Sequence, residues 1–157
     1  MSDQLAYALI TPYSLHKSRT GGIIARMLTL LEAELVAVRM YAPSDEFVSL
    51  YCETIRNQPH GDARTAELLI DYVRNNFTRS NCYGITNRTM LLLFKGPDAV
   101  AQVSGVVGSL THQFQGDTVR GTFGDYVIRD GKVSYFEPAV LTAPDPETNR
   151  RQLKLLA

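Results

Sequence analysis

Residues 118–123, TVRGTF, and residues 139–147, AVLTAPDPE, are the stretch of sequence that decides the fold. The first piece follows a loop that starts at Gly108 and leads into a strand that we expect to begin near Phe123. The second piece is apolar where it begins, and Leu141 lies in that apolar part. A leucine side chain has no lone pair, so this position cannot act as a nucleophile.

The composition is that of one globular domain with balanced charge. The chain has 157 residues, of which 45% are hydrophobic and 20% are charged. A chain of this length buries roughly two-thirds of its unfolded surface in a single core. The sixteen basic and sixteen acidic residues cancel, so no general field steers the protein onto a polyanion. We therefore expect no nucleic-acid partner.

The two cysteines and the first residues indicate the compartment. Cys52 and Cys82 are far apart in the sequence and lack the spacing of a metal site, so we expect two free thiols. The chain begins with residues 1–4, MSDQ, without a basic and apolar leader, and no later apolar run has the length of a membrane span. We expect a soluble cytoplasmic protein that does not bind membranes.

Apolar periodicity predicts the elements of the first half. We expect a strand at 5–10, a loop at 13–18, a helix capped by Ser18 or Thr20, and a strand at 35–41. Ser44 then begins the first of two helices that form a hairpin. The helix after the first strand has an inward stripe with helical spacing, formed by Ile23, Met27, Leu30 and Leu31.

The second half begins with a polar segment without periodicity at 75–88, a loop long enough to suggest a function or an insertion. Two short strands around Asp130-Gly131 then predict a hairpin with a tight primed turn. The further expected elements are a strand at 90–94, a helix at 98–107, the hairpin strands at 126–128 and 133–136, and a last helix from Pro146 to about Leu155.

This order of elements predicts the fold class. The elements follow the order strand, helix, strand, helical hairpin, strand, helix, strand. This order is the ferredoxin-like split βαβ plan, an α+β fold. We expect an antiparallel sheet with helices on one face.

The two pieces that decide the fold resemble a known family. TVRGTF at 118–123 resembles the T-I-R-G-D-F of nucleoside diphosphate kinases, and AVLTAPDPE at 139–147 resembles their A-V-H-G-S-D-S-x-E. LITPYSL at 9–15 is similar to the family's I-K-P-D-G-V. The resemblance covers most of the chain and implies one kinase-like domain over 1–157, with insertions at about 75–88 and 125–138.

The resemblance also implies what has been replaced. Family enzymes pass the γ-phosphoryl group of a nucleoside triphosphate to a histidine and then to a diphosphate, with magnesium on the phosphates. Here Leu141 occupies the position of that histidine, and Thr11 occupies the position of a lysine that the reaction needs. A family asparagine falls near Pro138, and a family arginine meets only apolar residues within 105–111.

Other positions match the family. By resemblance, Arg120 is a phosphate contact, Thr111 belongs to the same phosphate shell, and Tyr51 lies near the reaction centre. His60 falls where the family stacks a ring on the base. Each has a plainer reading: Arg120 as a structural ion-pair partner, Thr111 as a loop hydroxyl and His60 as a solvated side chain. His112 is the remaining loop histidine that could accept a phosphoryl group.

Three hypotheses follow. The first is a nucleoside diphosphate kinase-like protein without the phosphohistidine step, which retains at most weak binding of a nucleotide with magnesium. The second is an active kinase that uses another acceptor, such as His112, or transfers directly between bound nucleotides. The third is a structural or interaction module. Family members assemble into oligomers, so the resemblance implies a homo-oligomer.

Overall fold

The computed structural model describes residues 2–58, 62–110 and 117–156. None of the helices in this part of the chain has both the length and the apolarity needed to cross a membrane. The elements in chain order are β1 (Asp3–Ile10), α1 (Pro12–His16), α2 (Thr20–Leu30), β2 (Glu34–Tyr41), α3 (Asp45–Arg56), α4 (Ala63–Asn76), β3 (Thr89–Pro97), α5 (Ala99–Val107), α6 (Val119–Phe123), β4 (Asp125–Arg129), β5 (Lys132–Glu137), β6 (Val140–Leu141) and α7 (Pro146–Leu156).

The main sheet has the strand order β2-β3-β1-β6, and its pairs are antiparallel. β3 pairs along all of β1. β6 pairs with the end of β1, where Leu141 lies opposite Leu9. The motif at 9–15 and the motif at 139–147, the tail motif, therefore meet at one end of β1.

The core has a layer on each face of this sheet. Successive side chains of a strand point to opposite faces. Tyr7 and Leu9 of β1 pack with α3, α4 and α7, whereas Ala8 and Ile10 pack with α2 and α5. The predicted α+β class and antiparallel sheet are confirmed. The expectation that helices cover one face is wrong, because β1 is apolar on both faces and each face buries its side chains under helices.

Two predicted helices form the expected hairpin. Ser44 caps α3 by accepting a hydrogen bond from the Phe47 backbone N–H at 3.1 Å. Asp62 caps α4 in the same manner. Both caps satisfy backbone donors that have no partner within the helix.

The beginning of α2 differs from the prediction. The residue before the helix is Arg19, and no side chain caps it. Ser18 adopts a positive φ of 57°, and Thr20 is already helical, so neither is the cap. Leu30 is 48% exposed, so Ile23 and Met27 are the members of the predicted stripe that the core buries.

Two five-residue helices replace a predicted loop and a predicted strand. Thr11 caps α1, which occupies most of the expected loop at 13–18. Thr118 caps α6, so the chain is helical where we expected a strand to begin near Phe123. In each case the threonine oxygen accepts an N–H three residues later, from Ser14 at 3.2 Å and Gly121 at 2.9 Å.

The hairpin β4–β5 is confirmed. Asp130 and Gly131 have φ values of 52° and 74°, as a primed two-residue turn requires. The predicted loop at 75–88 is shorter, because α4 continues to Asn76. Asn87 fixes this segment through hydrogen bonds from its Nδ2 to the Phe77 and Pro43 carbonyl oxygens, at 2.8 and 3.0 Å.

Candidate functional site

Leu141 is part of the hydrophobic core. It ends β6, is 1% exposed, and belongs to the same cluster as Tyr7, Leu9 and Tyr51. Its pairing with Leu9 places it beside the end of β1. The position that the resemblance assigns to a phosphorylated histidine therefore holds a buried hydrocarbon side chain.

Thr11, at the position of the family's lysine, makes a hydrogen bond to a buried carboxylate. Its Oγ1 donates to Oε1 of Glu137 at 2.8 Å, and both residues are fully buried. The Ala139 backbone N–H donates to the same oxygen at 3.0 Å. The Tyr72 hydroxyl donates to the other carboxylate oxygen at 2.5 Å. An acidic group thus lies next to a position where phosphate chemistry needs a cation.

Burial raises the pKa of Glu137 above its usual range. The hydrogen bonds from Tyr72, Thr11 and Ala139 act in the opposite direction, because they stabilise the ionised form. The desolvation of the carboxylate is the larger effect.

Arg120 is buried and binds the backbone. It is 4% exposed, and its guanidinium donates to the carbonyl oxygens of Pro138 at 3.2 Å, Gly108 at 2.6 Å and Val140 at 2.8 Å. Burial lowers its pKa to about 10. Among the described residues no carboxylate forms an ion pair with it. Arg120 thereby connects α6 and the end of α5 to the segment that leads into β6.

Tyr51 lies in a buried hydrogen-bond network. It is 1% exposed, and its hydroxyl lies 2.6 Å from the hydroxyl of Tyr7. The Tyr7 hydroxyl in turn donates to Oε1 of Gln152, whose Nε2 donates to Oγ1 of Thr54 at 3.1 Å. Burial raises the pKa of both tyrosines, so both hydroxyls are neutral donors at physiological pH. The network joins β1, α3 and α7 inside the core.

Structural similarity gives a consistent answer about the fold. The chain is similar to the nucleoside diphosphate kinase of Aquifex aeolicus, with a TM-score of 0.70 and 16% identity over 99% of this chain and 96% of that one. It is also similar to the enzyme from Borrelia burgdorferi, solved with vanadate and ADP, with a TM-score of 0.71 and 13% identity over 99% and 87% of the two chains. A nucleoside diphosphate kinase family protein from Babesia bovis gives a TM-score of 0.65 and 21% identity over 100% and 88%.

The chain has the nucleoside diphosphate kinase fold. No protein-family model matches the sequence, and no curated protein matches it. The three-dimensional arrangement of the whole chain, and not a sequence match, supports the resemblance that the short motifs indicated.

Three sequence-predicted positions of this nucleoside diphosphate kinase fold lie outside the described residues. They are Thr111, His60 and the alternative acceptor His112. Their assigned roles stay predictions, as do the nucleotide contacts assigned to Arg120 and Tyr51. Within the described ranges, no three acidic, histidine or cysteine side chains form a metal-type cluster.

The sequence alone did not predict that Glu137 is a buried residue of the candidate site. This carboxylate follows the apolar pair Tyr135-Phe136 and precedes Pro138. A charged residue within an otherwise apolar run was the available signal, because charges in such positions are buried only when they have partners. Thr11 and Tyr72, which provide those partners, come from distant parts of the sequence.

A tyrosine cluster joins the two segments that the resemblance treats as insertions in the nucleoside diphosphate kinase fold. The rings of Tyr13 and Tyr83 lie 5.0 Å apart. Burial, together with these two neighbouring side chains, raises the pKa of Tyr135. The cations of Lys17 and Arg19 lie 5.7 and 5.4 Å from the Tyr13 ring centre. The cluster connects α1, the segment after α4 and β5.

Proposed function

We propose that this protein is a nucleoside diphosphate kinase-like protein that does not transfer phosphoryl groups through a phosphohistidine. The burial of Leu141 beside Leu9 supports this proposal most directly, because the side chain there is a core hydrocarbon. The sequence has no histidine after His112, so no shift of the alignment puts a histidine into the tail motif.

The surrounding charges support the same proposal. Phosphoryl transfer depends on cations that stabilise negative charge on the transferring group. Glu137 adds an acidic group next to Thr11, and Arg120 already donates to three carbonyl oxygens. The loss of two charge-assisted contacts, at about 1.5 to 3 kcal/mol each, weakens phosphate binding by two or more orders of magnitude.

A turnover assay tests the proposal. The protein is incubated with ATP, GDP and magnesium, and GTP formation is followed beside an active nucleoside diphosphate kinase as positive control. We expect no GTP above background. If GTP forms and the His112→Ala variant abolishes it, the loop histidine is the acceptor and the proposal is wrong.

Nucleotide binding is expected to be weak. Anything that binds the native state alone raises the unfolding temperature, and the stabilisation grows with the logarithm of one plus the ratio of ligand concentration to Kd. We expect about 1 mM ADP with magnesium to raise this temperature by less than about 1 °C. A clear rise that Arg120→Gln removes while the folded state persists would assign Arg120 to the phosphates and contradict the weak-binding expectation.

We also propose that the protein is a homo-oligomer that uses the exposed edge of the main sheet. Within the described residues β2 has a strand partner on one side, and its Val38 and Met40 are 55% and 47% exposed. Leu28 of α2 is 48% exposed. Open strand edges with apolar side chains tend to pair with other chains.

Light scattering after size exclusion tests the oligomer. We expect the native protein to exceed the 17.5 kDa of one chain, and Val38→Lys with Met40→Lys to yield monomers. Ile128→Lys, on the 56% exposed Ile128 of the hairpin, is the matched control. A monomeric native protein would contradict the proposal.

A reducing, cytoplasmic location is also proposed, supported by the free thiols of Cys52 and Cys82.

A further inference from the structure

Two solvent-accessible tyrosine rings lie against each other where α1 meets the segment after α4. The ring centres of Tyr13 and Tyr83 are 5.0 Å apart, and the ring planes are inclined at 40°. Aromatic pairs in contact have ring centres about 4.5 to 7 Å apart, so these two rings touch. Tyr83 is 36% exposed, and Tyr13 is half-buried. The pair is therefore accessible to small reagents in solution.

The residues around this pair hold both tyrosines in place. The cations of Lys17 and Arg19 lie 5.7 and 5.4 Å from the centre of the Tyr13 ring, close enough for favourable contact with it. On the other side of the pair, Oδ1 of Asn81 accepts the backbone N–H of Tyr83 at 3.1 Å. Asn81 is itself buried, at 8% exposure. The contact between the two rings is thus part of the native fold.

Other tyrosines of the described chain lie in different surroundings. The hydroxyls of Tyr7 and Tyr51 are 2.6 Å apart, but the two side chains are 0% and 1% exposed. A further set of rings packs against phenylalanines, which have no phenol to oxidise: those of Tyr41, Tyr51, Tyr72 and Tyr126. The pair of Tyr13 and Tyr83 combines contact between two phenol rings with access to solvent.

We propose that Tyr13 and Tyr83 form an oxidative cross-linking site, at which a one-electron oxidant produces an intramolecular dityrosine. Each phenol gives one electron to the oxidant and its proton to water. The two phenoxyl radicals then form a carbon–carbon bond between ring carbons ortho to the oxygens. The hydrogen atoms on those carbons move to the oxygens, so both phenols are restored. The proposal is independent of the proposed function.

The cross-link joins α1 to the segment after α4. It connects residues 70 positions apart in the chain. A covalent link between distant residues stabilises a fold mainly because it restricts the unfolded chain. We expect the cross-linked protein to unfold at least about 5 °C above the unmodified protein.

Photo-oxidation of the full chain with tris(bipyridyl)ruthenium, persulfate and light tests the proposal. Cys82 precedes Tyr83 and is an exposed free thiol, and thiols reduce tyrosyl radicals, so the Cys82→Ser variant is oxidised beside the native chain. We expect dityrosine fluorescence in the monomer band of a denaturing gel and an intact mass lower by two hydrogen atoms. Peptide mapping should join the peptide with Tyr13 to the peptide with Tyr83. Unfolding in urea before the reaction should abolish this product, because it separates the rings.

Two single variants complete the test. Tyr83→Phe removes only a hydroxyl from a partly exposed side chain, so the fold persists, and it should remove most of the fluorescence in the monomer band. Tyr126→Phe, at a half-buried tyrosine of the hairpin, is the matched control and should leave the fluorescence unchanged. The proposal fails if neither chain forms dityrosine, if the product is confined to the dimer band, if Tyr135 replaces either tyrosine in the mapped pair, or if the control lowers the yield as much.

Discussion

Glu137 couples the stability of the fold to pH. Its carboxyl group is fully buried, and burial raises its pKa in the folded protein. Between the unfolded and the folded pKa the native state binds more protons than the unfolded state, so stability falls as pH rises through this window. The contribution of the carboxyl group is complete below the unfolded pKa of about 4.3 and is lost as pH rises through the folded pKa.

Glu137→Gln should remove this dependence. The amide can accept from Thr11 and the Ala139 N–H, and it can donate to the Tyr72 hydroxyl. Denaturant unfolding between pH 5 and pH 8 should show that the difference in unfolding free energy, variant minus wild type, increases with pH. A difference that stays constant over this range would show that the three donors outweigh burial, because a carboxyl group with a lowered pKa is ionised in both states above about pH 5.

Arg120 contributes to stability through the backbone that it binds. Arg120→Met removes the donor for the Pro138, Gly108 and Val140 carbonyl oxygens. We expect a loss of about 2 to 4 kcal/mol in the free energy of unfolding, because buried acceptors are left without this partner. Arg129→Met, at an exposed arginine, should change it by less than about 0.5 kcal/mol. Equal effects of the two substitutions would contradict the structural role of Arg120.

At the scale of elements, the amide of Asn87 connects the segment between α4 and β3 to the residues around it. Asn87 is 4% exposed and donates to the Phe77 and Pro43 carbonyl oxygens. Asn87→Ala should cost about 1 to 3 kcal/mol and speed proteolysis within residues 77–88. Asn75→Ala, at an exposed asparagine of α4, is the control. Unchanged cleavage in the Asn87 variant would show that other contacts, such as the tyrosine cluster, hold the segment.

The elements also show how far the sequence reaches. The long strands, the helical hairpin and the hairpin at Asp130-Gly131 were predictable, because each has a strong period or a turn with one geometry. The helices α1 and α6 were not, because five residues are too short for a period. Their sequence signals are single residues, namely the threonine caps Thr11 and Thr118 and, for α1, Pro12 in the first turn, and these residue types are also common in loops.

At the scale of the molecule, short motifs predicted the fold better than the site. The motifs at 9–15, 118–123 and 139–147 indicated a nucleoside diphosphate kinase fold, and the structure has it. The same motifs gave no information about the partners of Arg120, since those are backbone oxygens. They also could not indicate Glu137, because its burial depends on Thr11 and Tyr72 in other elements.

The central claim is that no histidine of this protein carries a phosphoryl group. Brief incubation with γ-labelled ATP and magnesium, followed by alkaline electrophoresis, tests it most directly, because phosphohistidine survives alkali and is lost in acid. We predict no acid-labile label on the native protein, while an active nucleoside diphosphate kinase treated in parallel is labelled. Acid-labile label that maps to His16, His60 or His112 would contradict the account.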